Sequence, residues 1–224
     1  MNSPPLTSAK KANVLDVEEY SRSSLRRAFR EKRSALTKQQ QASAAQEVLK
    51  QAIAYKIFDD CSRVAIYLTN EGELDTQPLI EYLWAQGKEV YLPVLHPFSK
   101  GYLLFLRYTP STAMKANNFG ILEPILNVMT LCPIAQLDIV LTPLVAFDEK
   151  GNRMGMGGGF YDRTIKGIAS KQSRLIGLAH DCQKTVSLPI QVWDIPLPEV
   201  LTPTSLFSFN RNHNGPKSKE KSSR

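Results

Sequence analysis

Asp138-Ile-Val-Leu-Thr-Pro143-Leu-Val-Ala-Phe-Asp148-Glu-Lys-Gly151-Asn-Arg153-Met-Gly155-Met-Gly157-Gly158-Gly159-Phe160-Tyr161-Asp162-Arg163 passes from an apolar run through a glycine-rich loop into the start of a helix. The run between Asp138 and Pro143 has the length and composition of a buried strand. Strand, glycine-rich loop and helix N-terminus in that order make an anion cradle. Backbone amides can approach a ligand closely there, and the helix end adds its positive dipole. Four glycines within five positions (Gly155, Gly157, Gly158, Gly159) raise the entropy cost of ordering the connection, which a bound ligand would offset. Arg153 supplies a forked cation for phosphate or carboxylate, and Asp162 a carboxylate suited to magnesium.

The loop is neither of the two best-known phosphate binders. No Lys-Ser or Lys-Thr follows a glycine as a P-loop requires, and Phe160 stands where a dinucleotide fingerprint needs its third glycine. A long exposed turn between strand and helix is the alternative to an anion site.

The stretch resembles the signature of the 5-formyltetrahydrofolate cyclo-ligases, Pro-Gly-x-(Ala/Gly)-Phe-Asp-x-x-Gly-x-Arg-(Leu/Met)-Gly-x-Gly-x-Gly-(Tyr/Phe)-Tyr-Asp-(Arg/Ala). Pro143, Ala146, Phe147, Asp148, Gly151, Arg153, Met154, Gly155, Gly157, Gly159, Phe160, Tyr161, Asp162 and Arg163 fit it, and Leu144 departs where glycine is usual.

Bulk composition agrees with one soluble domain. The chain has 224 residues, 42% hydrophobic and 22% charged. No apolar run approaches the ~18 residues of a membrane span, and the N-terminal stretch lacks a signal-peptide pattern. Cys61, Cys132 and Cys182 are odd in number and far apart, which suits a reducing cytoplasm rather than a disulfide framework or zinc site. Of the net charge of +7, residues 211–224 carry five basic side chains against Glu220. That uneven distribution argues against a nucleic-acid face on the domain. The expected organisation is a flexible leader over 1–20, one catalytic domain over 21–210, and a disordered basic tail over 211–224.

From Ser21 a basic helix begins, with Leu25, Ala28 and Phe29 on its buried stripe and Arg22, Arg26, Arg30 and Arg33 along another face. Like charges so aligned are either solvated or neutralised by an anion. Thr37 and Gln40 form a capping box for a second helix carrying Ala45, Val48, Leu49, Ala52 and Ile53. Strands are expected at 64–68, 89–94, 101–108 and 174–179, with Thr76 as the N-cap of a helix through Leu83. Alternating strands and helices predict an α/β domain with a mainly parallel sheet and helices on both faces.

The resemblance extends from residue 22 to 202. It includes Arg22 and Arg26 in the opening basic motif, Leu68 and Glu73 in the loop after the first strand, Phe119 in Phe-Gly-Ile-Leu-Glu-Pro, and a closing Trp193-Asp194; Pro198 departs where aspartate is usual. What it implies is specific: a fold of the NagB/RpiA/CoA-transferase-like class, and conversion of 5-formyltetrahydrofolate to 5,10-methenyltetrahydrofolate with ATP and Mg2+, releasing ADP and phosphate. ATP would contact Arg22, Arg26, Arg153, Met154, Gly155, Met156, Gly157, Gly158, Gly159, Phe160 and Tyr161. Folate would contact Leu68, Glu73, Phe119 and Tyr161, and magnesium Asp162 and Asp194. Arg153 and Tyr161 would act in the chemistry. That chemistry asks the protein to position two ligands and neutralise charge, and the three histidines (His96, His180, His213) sit outside the motifs.

A monomeric enzyme is expected, with no membrane or nucleic-acid partner. A basic surface would attract polyglutamylated folate, and equal turnover of mono- and polyglutamylated forms would exclude such a preference. Two rivals remain open at this point: a sugar-phosphate or CoA-handling enzyme using the loop without ATP hydrolysis, and a non-enzymatic binder acting through its tail. Truncation before Arg211 separates the second, because an enzyme survives it.

Overall fold

A computed structural model describes residues 21–166 and 173–209; the leader, the tail and residues 167–172 lie outside the described residues. The helices are α1 (Arg22–Ser34), α2 (Lys38–Ala54), α3 (Gln77–Ala85) and α4 (Phe160–Ile165). The strands are β1 (Arg63–Ala65), β2 (Glu89–Leu95), β3 (Leu103–Tyr108), β4 (Met114–Ala116), β5 (Leu122–Pro124), β6 (Leu131–Cys132), β7 (Ile139–Pro143), β8 (Ala146–Phe147), β9 (Arg153–Met154), β10 (Arg174–Leu178), β11 (Glu199–Leu201) and β12 (Leu206–Ser208). Eight of them form one sheet in the order β12-β11-β10-β7-β1-β2-β3-β6. The five from β11 to β2 are parallel, and the antiparallel pairings lie at the two edges. Strand β7 is buried on both faces, as its unbroken apolar run requires.

Chain direction across the sheet locates the ligand region. From β1 the chain moves through α3 to β2 on one side, then returns to β7 on the other side of β1. The loops leaving the carboxyl ends of β1 and β7 therefore diverge at a switch point, where open α/β sheets open a crevice. Those two loops carry Glu73 and the glycine cluster. Helix α1 lies across this end of the sheet, with Leu25 and Phe29 packed on Val145, Ala146, Met154 and Leu188.

The two faces of the sheet are covered differently. One is packed by α2 and α3 around Val48, Leu79, Leu83, Val90 and Ile176. On the other, Tyr91, Phe105, Phe147 and Leu175 meet Ile165 of α4 and the returning segments that carry Leu197 and Phe207. The expectation of helices on both faces is thus met unequally: among the described residues, six-residue α4 is the only α-helix with a residue in the second face's buried cluster. Proline-punctuated chain takes the place of a further helix there.

Two local expectations are also revised. The parallel ladder stops at Ala65, with one more hydrogen bond from Ile66 N to Tyr91 O at 2.9 Å, so Tyr67 and Leu68 leave the sheet for the crevice. Thr76 makes no side-chain cap. Its buried hydroxyl instead donates to Tyr67 O at 2.6 Å, while Asp75 Oδ1 accepts from Gln77 N at 3.0 Å. The Thr37–Gln40 capping box is present as read.

Leu144, the departure from the signature, is accommodated by a neighbouring strand. A Cβ on Gly177 would stand 2.6 Å from Leu144 Cδ2 and 2.7 Å from Leu197 Cδ1. Gly177→Ala is therefore expected to cost about 1–3 kcal/mol by overpacking, measured as a lower denaturant midpoint. Gly177→Ala combined with Leu144→Ala should recover part of that loss.

Candidate active site

Two adjoining clefts open at the switch point, and the glycine-rich loop forms their common edge. The smaller, ≈ 200 Å³, is lined by Arg22 and Arg26 of α1, by Gly155, Gly157 and Gly159, and by Asp162, Arg163, Lys166, Trp193 and Asp194. The larger, ≈ 480 Å³, is mostly apolar, with Leu68, Leu92, Phe119 and Tyr161 among its walls and Glu73 among its few charges. Gly155, Gly159 and Asp162 line both. A volume of that order holds a drug-sized ligand.

The loop is held from beneath. Asp148, fully buried, accepts from the amides of Lys150, Asn152 and Leu188, so it braces the turn and does not face a ligand. At the helix start, Gly159 takes φ +65°, which a side chain rarely adopts, and its carbonyl accepts from Arg163 N at 3.1 Å. The Arg163 guanidinium ties this corner to the β2–β3 turn through Gly101 O at 2.9 Å and also donates to Gly158 O.

The two aspartates that line the smaller cleft are each paired with an arginine. Arg22 forks onto Asp194, Nη1 at 2.5 Å and Nη2 at 3.0 Å, and Nη1 also donates to Pro189 O. Buried Arg153 donates to Asp162 Oδ1 at 2.6 Å and to Ile195 O at 2.8 Å. Arg26 differs from both: its Nε donates to Gly155 O at 2.8 Å, and among the described residues its two Nη groups have no partner. Burial lowers the Arg26 pKa and the neighbouring Arg22 charge lowers it further, while Asp194 opposes them. A phosphate would relieve that crowding.

Asp162 and Asp194 were the residues expected to take magnesium. Among the described residues no group of three or more acidic, histidine or cysteine side chains is placed to hold a metal. Yet both carboxylates line the smaller cleft, and magnesium typically takes one or two carboxylates and completes its shell with phosphate oxygens and water. The donor set therefore fits a metal arriving with a nucleotide, provided that the arginines release the carboxylates.

The remaining expected residues divide between the clefts. Gly155, Gly157 and Gly159 line the smaller cleft, whereas Arg153, Met156, Gly158, Phe160 and Tyr161 line the larger. Met154 lines neither: its side chain is 1% exposed and packs on α1, so its place in the signature is a core position. Phe119 is exposed and meets Phe160 edge to face, ring centroids 5.9 Å apart, forming an aromatic wall of the larger cleft. The Tyr161 hydroxyl makes no hydrogen bond among the described residues, and burial holds this phenol far above its ordinary pKa. It is a neutral donor. Glu73 is raised to about 7, chiefly by burial, with Arg33 acting in the opposite sense.

Three lining residues, Arg163, Lys166 and Trp193, were not singled out as site residues from the sequence, although Arg163 and Trp193 stand inside matched motifs. Arg33, which its spacing places on the basic face of α1, is instead wholly buried beside Glu73, behind the larger cleft. The three thiols are free. No helix among the described residues is long and apolar enough to cross a membrane.

Known proteins resemble this chain over the same region. Residues 18–203 match the model of the 5-formyltetrahydrofolate cyclo-ligase family. A 5-formyltetrahydrofolate cyclo-ligase of Escherichia coli K12 is 49% identical over 181 residues, covering 81% of this chain and all of that protein. The Haemophilus influenzae protein of the same name is 51% identical over 180 residues, covering 80% of this chain and 96% of its own length. Among solved structures, the Aquifex aeolicus 5,10-methenyltetrahydrofolate synthetase superposes with a TM-score of 0.73 at 26% identity, covering 90% of this chain and 99% of that one.

Proposed function

This chain belongs to the 5-formyltetrahydrofolate cyclo-ligase family, and from that membership we propose how its two clefts divide the reaction. ATP occupies the smaller, its triphosphate on the loop amides with Arg22 and Arg26 as counter-charges. 5-Formyltetrahydrofolate occupies the larger, its pterin against Leu68 and Phe119 and its donor edge on Glu73. The observation that carries this reading is the shared edge. Gly155, Gly159 and Asp162 line both clefts, so a terminal phosphate and a formyl oxygen would meet there.

A formamide oxygen is a poor nucleophile, and oxide is a worse leaving group. Phosphorylation of that oxygen solves the second difficulty. The oxygen bonds to the γ-phosphorus as the bond to ADP breaks. N10 then adds to the activated carbon, its proton is lost, and the carbon–oxygen bond breaks to release phosphate. The chain's own work is orientation and charge. Tyr161, protonated at all working pH, can donate to the formyl end. Arg153 fixes Asp162 and the segment at Ile195 around the meeting point. Asp162 and Asp194 would hold magnesium, which when bound neutralises phosphate charge. Arg22 and Arg153, freed from those carboxylates, can turn to the phosphates.

A monomeric enzyme is the reading we carry forward, and the free thiols suit a reducing cytoplasm. With substrate carrying oxygen-18 in its formyl group, the released phosphate is expected to carry the label, read by mass spectrometry. Unlabelled phosphate from a productive reaction would rule out phosphorylation of the formyl oxygen.

A further inference from the structure

Among the described residues Arg33 is the largest fully buried side chain, and it is a cation. Its Nε donates to Glu71 O at 3.1 Å, but Nη1 and Nη2 are buried without a hydrogen-bond partner. Nη1 stands 3.9 Å from Glu73 Oε1. Burying a guanidinium with unsatisfied donors is costly, and such a group is retained where its charge is used. Here the charge faces the back of the carboxylate that lines the larger cleft.

The loop around Glu73 is held in an unusual shape by the same helix. Glu71 lies at φ +46°, in the left-handed region that side chains rarely occupy. Arg30 Nη2 holds its carboxylate at 2.7 Å, and Arg33 holds its carbonyl. Asn70 N then donates to Glu73 Oε2 at 3.2 Å. From Arg22 to Arg33, α1 extends about 16 Å, so one rigid element reaches both the smaller cleft and the loop beneath the larger.

We propose that Arg33 is a positioning residue for the folate: it holds the Glu73 carboxylate in place at the larger cleft and favours its ionised form, which accepts hydrogen bonds from the pterin's donor edge. This rests on the reading of that cleft as the folate site. A pterin offers an N–H and an amino group side by side, and a carboxylate takes both only when ionised. Besides Arg33, the groups facing Glu73 are Glu71 on its own loop, Tyr67 at the exit of β1, Tyr161 of α4 and His180 after β10. Among them Arg33 alone lowers the Glu73 pKa through its charge, against the burial that raises it. Without Arg33 the carboxyl titrates higher and is protonated at neutral pH. Folate binding should then weaken at neutral pH and recover as pH rises.

The test compares wild type, Arg33→Met, Arg33→Lys, Glu73→Gln and the double variant R33M/E73Q, all on the full chain. Calorimetry gives the Kd of 5-formyltetrahydrofolate, and steady-state assays give KM for each substrate from pH 6 to 9. For R33M we expect folate Kd and KM raised about tenfold or more, with KM for ATP within about twofold of wild type. Its acid limb of kcat/KM for folate should move to higher pH, and R33K should recover most of the affinity. The double variant should bind folate no worse than E73Q, because Arg33 acts through Glu73.

Equal losses for folate and ATP, an unmoved acid limb, or penalties that add in the double variant would overturn the proposal. If R33M does not fold, R33K decides it: a wild-type pH profile for kcat/KM with a normal Kd supports it, and loss of binding with no change in that profile overturns it. No folate binding by the wild-type protein would overturn the cleft assignment and this inference with it. Binding by wild type that R33M leaves unchanged would overturn this inference alone.

Discussion

Asp162→Asn is expected to fold and to lose turnover by a factor of about 10²–10³, the size of effect seen when one aligned electrostatic group is removed from a reacting centre. The amide keeps the shape of the carboxylate, so its oxygen can still accept from Arg153 and from the Ile195 amide, as Asp162 does at 2.6 and 3.3 Å. What is lost is the negative charge. Arg153→Ala should be worse in a second way. Its guanidinium is buried and also donates to Ile195 O at 2.8 Å. Removing it leaves Asp162 and that carbonyl short of a partner, at about 3–5 kcal/mol of stability for a broken buried pair. Circular dichroism melts together with steady-state rates separate the two: D162N loses rate at near-normal stability, and R153A loses both. A fully active D162N would remove Asp162 from the magnesium role.

The arginines of α1 should be unequal. Arg26→Ala is expected to raise KM for ATP by about 10- to 100-fold, the worth of one charge-assisted phosphate contact. KM for folate should hold, since Arg26 lines only the smaller cleft. Arg22→Ala should cost less. Arg22 is already engaged by Asp194, so its phosphate contact must be exchanged for that pair, and its loss also frees a carboxylate for magnesium. Raising ionic strength should narrow the gap between wild type and R26A. Equal losses at both positions would mean that the Arg22–Asp194 pair persists with nucleotide bound and works as a structural strut.

Local pattern carried much of the site and little of its wiring. The glycine cluster, the strand before it and the short helix after it were legible, because apolar runs and glycines act on the backbone at short range. So was the Thr37–Gln40 capping box, a three-residue affair. Partners were not legible. Arg22 meets Asp194 across 172 positions, and helical periodicity cannot say which loop will return to α1. Arg33 shares the spacing of Arg22, Arg26 and Arg30, and distant segments that return to α1, the loop at 70–73 among them, bury it. Met154 shows the converse: adjacency to Arg153 in a binding signature suggested a ligand contact, yet strand alternation at β9 turns it into the core under α1. Thr76 failed as a cap because Tyr67 O, brought close where the chain leaves β1, claimed its hydroxyl.

The most direct test of the two-cleft reading is absorbance near the methenyl-folate band, with purified protein, 5-formyltetrahydrofolate and Mg-ATP. A rise is expected that requires both ATP and magnesium, is abolished in folded D162N, and is accompanied by one phosphate per methenyl group formed. A flat trace from folded wild-type protein would contradict it, and would make the loop at Gly155–Gly159 the holder of some other phosphorylated ligand.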